Sequence, residues 1–99
     1  MGIFAPSILA MICLAVKRNV VGLRVRQARK LATPPVSQVD LAARLQLVGL
    51  KIDQSAISKI EQGRRPVLDT EVVALAKALN VSAAWLLGEV NTLTKPTGR

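Results

Sequence analysis

The chain has no histidine and no tyrosine, and only one cysteine, one phenylalanine and one tryptophan. Lacking histidine, it lacks the commonest general base and the commonest metal ligand. Cys13 has no second cysteine to pair with, which excludes an intramolecular disulfide and a cysteine cluster around a metal. Acids are scarce too, six against fourteen Lys and Arg, and their positions show no pairing suited to carboxylate catalysis. The chain reads as a non-enzyme that needs no cofactor. With Phe4 and Trp85 as the only aromatics, a core must be built from Leu, Val, Ile and Ala around one indole. That composition suits a helical bundle of modest stability, and 99 residues suit one domain with short extensions.

Positive charge is plentiful, with a net +8. Its distribution is uneven: Asp40, Asp53, Glu61, Asp69, Glu71 and Glu89 all follow position 39, while Lys17, Arg18, Arg24, Arg26, Arg29 and Lys30 precede it unopposed. Such a field attracts polyanions, chiefly nucleic acid or an anionic membrane surface. The bland counterpart is a basic face that simply keeps the protein in solution.

Ile3 to Val16 is almost continuously apolar. It is shorter than the about 20 residues of an ordinary membrane span. Lys17 and Arg18 follow the run instead of preceding it, unlike the charges of a secretory leader. Three readings stand: an extra helix packing on the domain or on a second copy, a membrane-associated segment, or an overlong gene start with the native one at Met11 or beyond. Length weighs against the membrane.

From Asn19 onward the helix signals are sharper. Asn19 can cap a helix from Val20 to Leu31 with Val21, Val25, Ala28 and Ala32 on one face, stopped by Thr33-Pro34-Pro35. Ser37-Gln38-Val39-Asp40 has the pattern of a capping box. It opens a helix to about Leu47 that buries Leu41, Ala42 and Leu45, and Gly49 breaks it. Asp53 caps a short helix from Gln54 to Gln62, with Ala56, Ile57 and Ile60 inward and Gly63 as a left-handed end. Asp69 is the expected cap of a fourth helix carrying Val72, Leu75, Ala76 and Leu79. Ser82 caps a last short helix with Trp85, Leu86 and Leu87, and a polar tail follows Asn91. Neither an internal repeat nor strand-like alternation is visible. The chain divides into an extension (1–18), an all-α domain (19–89) and a tail (90–99).

Four ordered stretches carry more information than periodicity: VVGLRVRQARK, VSQVDLAARL, QSAISKIEQGRRP and VVALAKALNVSAAWLLG. Together they resemble the lambda-repressor/Cro-like, or XRE-type, helix-turn-helix family over Val21 to Gly88. The resemblance implies a five-helix domain and a bacterial, cytoplasmic, DNA-binding transcriptional regulator that acts as a homodimer on double-stranded DNA. In such proteins the helix from Gln38 lies across the DNA backbone and the helix from Gln54 enters the major groove. By position, Gln54, Ser55, Ser58 and Lys59 become candidates for base contacts, since their amide, hydroxyl and ammonium tips can all pair with base edges. Gln38, Arg64 and Arg65 become candidates for phosphate contacts. An ion pair between Arg29 and Glu61, partly buried and structural, is also implied. Each has a plain counterpart, solvated surface for the polar residues and exposed charge for the arginines, while Trp85 reads as core.

The sequence departs from the family pattern in the connection QLVGLKID between Leu45 and Gln54. It is several residues longer than usual, so the preceding helix gains an extra turn or the loop bulges. Asp53 replaces the usual Ser or Thr cap, and its charge would repel a nearby phosphate. A second function fits the same fold: an antitoxin or adaptor that binds a protein partner through Ile3 to Val16. Attachment to a membrane through that segment is a third.

Overall fold

Among the described residues, three of the five helix starts are capped by a side chain that accepts an orphan amide. In the computed structural model, which describes residues 17–91, Ser37 Oγ accepts from the Asp40 amide, Asp53 Oδ1 from Ala56 and Ser82 Oγ from Trp85. Asn19 Oδ1 accepts from both Val21 and Gly22 at 3.1 and 2.8 Å, so the first helix begins two residues later than Val20. The elements are α1 (Gly22–Leu31), α2 (Gln38–Leu47), α3 (Gln54–Glu61), α4 (Asp69–Leu79) and α5 (Ala83–Leu86). No strand occurs among the described residues. The alternatives for Ile3 to Val16, and the tail beyond Asn91, fall outside them.

The fourth helix corrects one expectation. Asp69 is its first residue, not its cap; Leu68 holds the cap position, and its amide donates to Glu71 Oε1 at 3.0 Å. Asp69 Oδ1 instead accepts from the neighbouring Thr70 amide. The difference has a physical cause: Glu71 is drawn inward by Arg65, which leaves it facing back toward the helix start.

The long connection is resolved by both of the routes its length allows. Helix α2 continues to Leu47 and then closes with Gly49 at φ +92°, the Leu50 amide donating to Leu45 O and the Gly49 amide to Gln46 O. Those two bonds satisfy carbonyls that the helix end leaves open, and the left-handed backbone they need suits glycine. Beyond Gly49 the chain leads to Asp53 with Leu50 and Ile52 leaning on the core. Gly63 ends α3 by the same geometry, at φ +74°, with its own amide on Ile60 O and that of Arg64 on Lys59 O.

The core lies between α1, α2, α3 and α4, closed at one end by α5. Val25, Leu41, Leu45, Ile57, Ile60, Leu75 and Leu86 are fully buried. Helix α4 touches α1, α2 and α5, so Ala74 and Ala78 are buried along with the expected Val72, Leu75, Ala76 and Leu79. Small residues there let three neighbours approach one helix. Trp85 is core, and the Arg24 guanidinium lies 4.7 Å from its ring centroid. Arg24 also donates to the carbonyls of Trp85 and Val90, tying α1 to the end of α5.

Candidate nucleic-acid interface

Helix α3 has two faces set by its sequence. Ile57 and Ile60 are fully buried, while Gln54, Ser55 and Lys59 are exposed and Ser58 is half-buried. A shallow polar groove of about 400 Å³ brings all four candidate base-contacting residues together with Gln38, Gln62 and Arg64. A second open groove beside it, about 510 Å³, runs from Gln54 and Ser58 past Gln38 to Arg26 and Lys30 of α1. One surface therefore carries polar tips in the middle and cations at its margins.

Below that surface lies a hydrogen-bonded chain that starts in the interior. Arg29 grips Glu61 with two bonds, Nε to Oε2 at 2.7 Å and an NH2 donor to Oε1 at 2.8 Å. Only 12% of the Arg29 side chain and 5% of the Glu61 side chain remain exposed. The hydrogen bonds to Glu61 raise the Arg29 pKa above its ordinary value, against the opposing effect of burial. Arg29 NH1 further donates to Val36 O, which fixes the loop leading into α2. Gln38 Nε2 then donates to Glu61 Oε1 at 3.1 Å, and Gln54 Nε2 donates to Gln38 Oε1 at 3.3 Å. The ion pair thus underpins both glutamines.

A second chain runs along the outer edge. Gln62 Nε2 donates to Ser58 Oγ at 3.0 Å, and Arg64 donates to Gln62 Oε1 at 3.2 Å. Accepting from Gln62 leaves the Ser58 hydroxyl proton able to point outward. Asp53 spends one carboxylate oxygen on the Ala56 amide, so its charge is partly met by the helix start.

Arg65 differs from Arg64. Both of its terminal nitrogens are on the Glu71 carboxylate at 3.0 Å, its backbone carbonyl accepts from Asn19, and it does not line the grooves beside α3. It belongs to a structural clamp between the exit loop and α4. Three residues of the surface escaped sequence reasoning: Gln62, Arg26 and Lys30. Arg26 and Lys30 stand four apart on the exposed side of α1, a spacing that places them on one stripe. Only the packing of α1 against α3 shows that this stripe borders the groove.

Comparison with known proteins agrees with this geometry. A helix-turn-helix family model matches residues 36–86, from the loop before α2 to the end of α5. No curated protein and no solved structure matches the chain. Among the described residues no helix is long and apolar enough to cross a membrane. With α2 and α3 as the matched pair and a polar, cation-rimmed face on the second of them, the chain belongs to the XRE/lambda-repressor-like family of DNA-binding helix-turn-helix proteins.

Proposed function

We propose that the protein is a sequence-specific transcriptional regulator that acts in the cytoplasm as a homodimer and places α3 in the major groove. The observation that carries this reading is the shared surface of Gln54, Ser55, Ser58 and Lys59 in one groove, with Arg64, Arg26 and Lys30 at its borders. Gln54 supplies a bidentate amide suited to adenine, Lys59 donors suited to guanine O6 and N7, and the serines short donors for either. Gln38 stands at the N-terminus of α2, where free backbone amides favour a phosphate. Arg64 contributes a phosphate contact from the exit loop. Arg65 is held by Glu71 and contributes to the frame instead.

A dimer would set two α3 helices about 34 Å apart, one turn of the duplex. The test is selection of bound duplexes from a randomised pool, followed by titration of affinity against salt. A selected site of two related halves is expected, with binding that weakens by a slope of about −0.9 per phosphate neutralised. Recovery of no common sequence, or an affinity indifferent to salt, overturns the reading. A stoichiometric protein partner captured by a chain that binds no DNA would favour the antitoxin or adaptor role.

A further inference from the structure

We propose that the long connection between α2 and α3 supplies a phosphate ligand of its own, Lys51, which meets the DNA backbone where α3 enters the major groove. The inference rests on α3 occupying that groove, as proposed above. It starts from how the connection is held. Leu50 and Ile52 pack against the core, and the Leu50 amide donates to Leu45 O at 2.9 Å. Asp53 is fixed in turn by the Ala56 amide, which donates to its Oδ1. Between these anchors the side chains alternate as along an extended chain, Leu50 and Ile52 half-buried, Lys51 and Asp53 exposed. Lys51 thus stands on a fixed base, and binding through it orders one side chain instead of a loop.

Among the described residues Lys51 belongs to no ion pair, although it shares a shallow depression of about 550 Å³ with Asp53, Gln54 and Val39. Arg65 is the contrast, its guanidinium spent on Glu71. Position then decides the ligand. Gln54 lines this depression and both grooves beside α3, so Lys51 opens onto the same surface as the candidate base contacts. Lys51 stands three residues before α3 and Arg64 three after it. The helix between them is about 12 Å long, and the major groove that would receive it is about 12 Å wide, walled by the phosphates of both strands. A cation at each end of α3 has such a wall beside it. Asp53 gives the arrangement its purpose. Among the described residues only one of its carboxylate oxygens is bonded to an amide. An exposed carboxylate repels a phosphate within about 8 Å at physiological salt, and Lys51 on the same exposed side offsets that repulsion.

The experiment titrates salt against a duplex selected by the wild-type protein, then replaces each phosphate of that duplex in turn by an uncharged methylphosphonate. Lys51→Ala should reduce the salt slope by about 0.9. Its affinity deficit against wild type should therefore narrow about threefold as salt rises from about 50 to 200 mM. Its melting temperature should stay at the wild-type value, and Lys51→Arg, which keeps the charge, should restore the slope. One methylphosphonate that weakens wild-type binding should leave Lys51→Ala binding unaffected. A Lys51→Ala protein with the wild-type slope, or one sensitive to the same phosphates as wild type, overturns the proposal. So does a reduced slope with every phosphate mattering a little less, the mark of a diffuse field instead of a contact. If the wild-type protein selects no duplex at all, the groove-binding role of α3 fails, and the role of Lys51 falls with it.

Discussion

Gly22 lies so close to Ile60 that a methyl group on its α-carbon would overlap the Ile60 carbonyl oxygen. Helix α1 therefore crosses α3 at a distance that glycine alone permits. Asn19 bridges the same point, its Nδ2 donating to Ile60 O while its Oδ1 caps α1. Gly22→Ala should destabilise the domain by about 1–3 kcal/mol, the usual cost of overpacking a close contact. Urea unfolding followed by circular dichroism measures it. An unchanged midpoint would mean that the two helices can separate freely.

The outline of the domain was legible in the sequence because its helix ends are chemically explicit. Ser37, Asp53 and Ser82 each cap the helix that their neighbours suggested, and Gly63 terminates α3 where a left-handed residue was expected. Asp69 misled because a carboxylate before an apolar periodic stretch satisfies the cap pattern equally well in either register. Which register wins depends on Arg65, whose approach to Glu71 is a tertiary contact with no local signature. The same limit applies to the surface beside α3. Position in the resembled family's motif marked Gln54 and Lys59, but the link from Gln54 through Gln38 to Glu61 joins positions on two helices and needs their packing to be seen. For the same reason the sequence, which leaves the charge of Arg26 and Lys30 open between attracting a polyanion and facing solvent, does not place the two beside this groove.

The Arg65–Glu71 clamp sets a pH dependence of stability. Hydrogen bonds from Arg65 hold the Glu71 carboxyl below the usual carboxylate range, helped by the Leu68 amide and opposed by burial. A carboxyl whose folded pKa lies below its unfolded value of about 4.3 stabilises the fold above that pH. Its contribution disappears as pH falls through the folded pKa. Since 28% of the Arg65 side chain is exposed, solvent screening limits the pair to about 1–2 kcal/mol. Glu71→Gln should thus unfold more easily than wild type at pH 7, and the gap should narrow as the solution is acidified below about pH 4. Denaturant midpoints across a pH series test this directly. A gap of constant size down to acid would show that the charge of Glu71 contributes nothing.

The basic residues around α3 should divide into two groups when DNA binding and stability are measured together. The Arg64 side chain is exposed and, among the described residues, bonded only to Gln62, so Arg64→Ala should leave the melting temperature alone. It should weaken binding to all duplexes similarly and reduce the salt slope by about 1, as the loss of one phosphate contact requires. Arg26→Ala and Lys30→Ala, from the far border of the groove, are expected to act likewise. Arg29 lies in the same stretch of α1 but belongs to the other group. Removing it leaves Glu61 charged and largely buried without its partner, at a cost of about 3–5 kcal/mol. Arg29→Ala should therefore lower the melting temperature sharply, with any loss of binding following from that. If Arg29→Ala instead reduced the salt slope at an unaltered melting temperature, Arg29 would be a phosphate ligand and the ion pair dispensable to the fold.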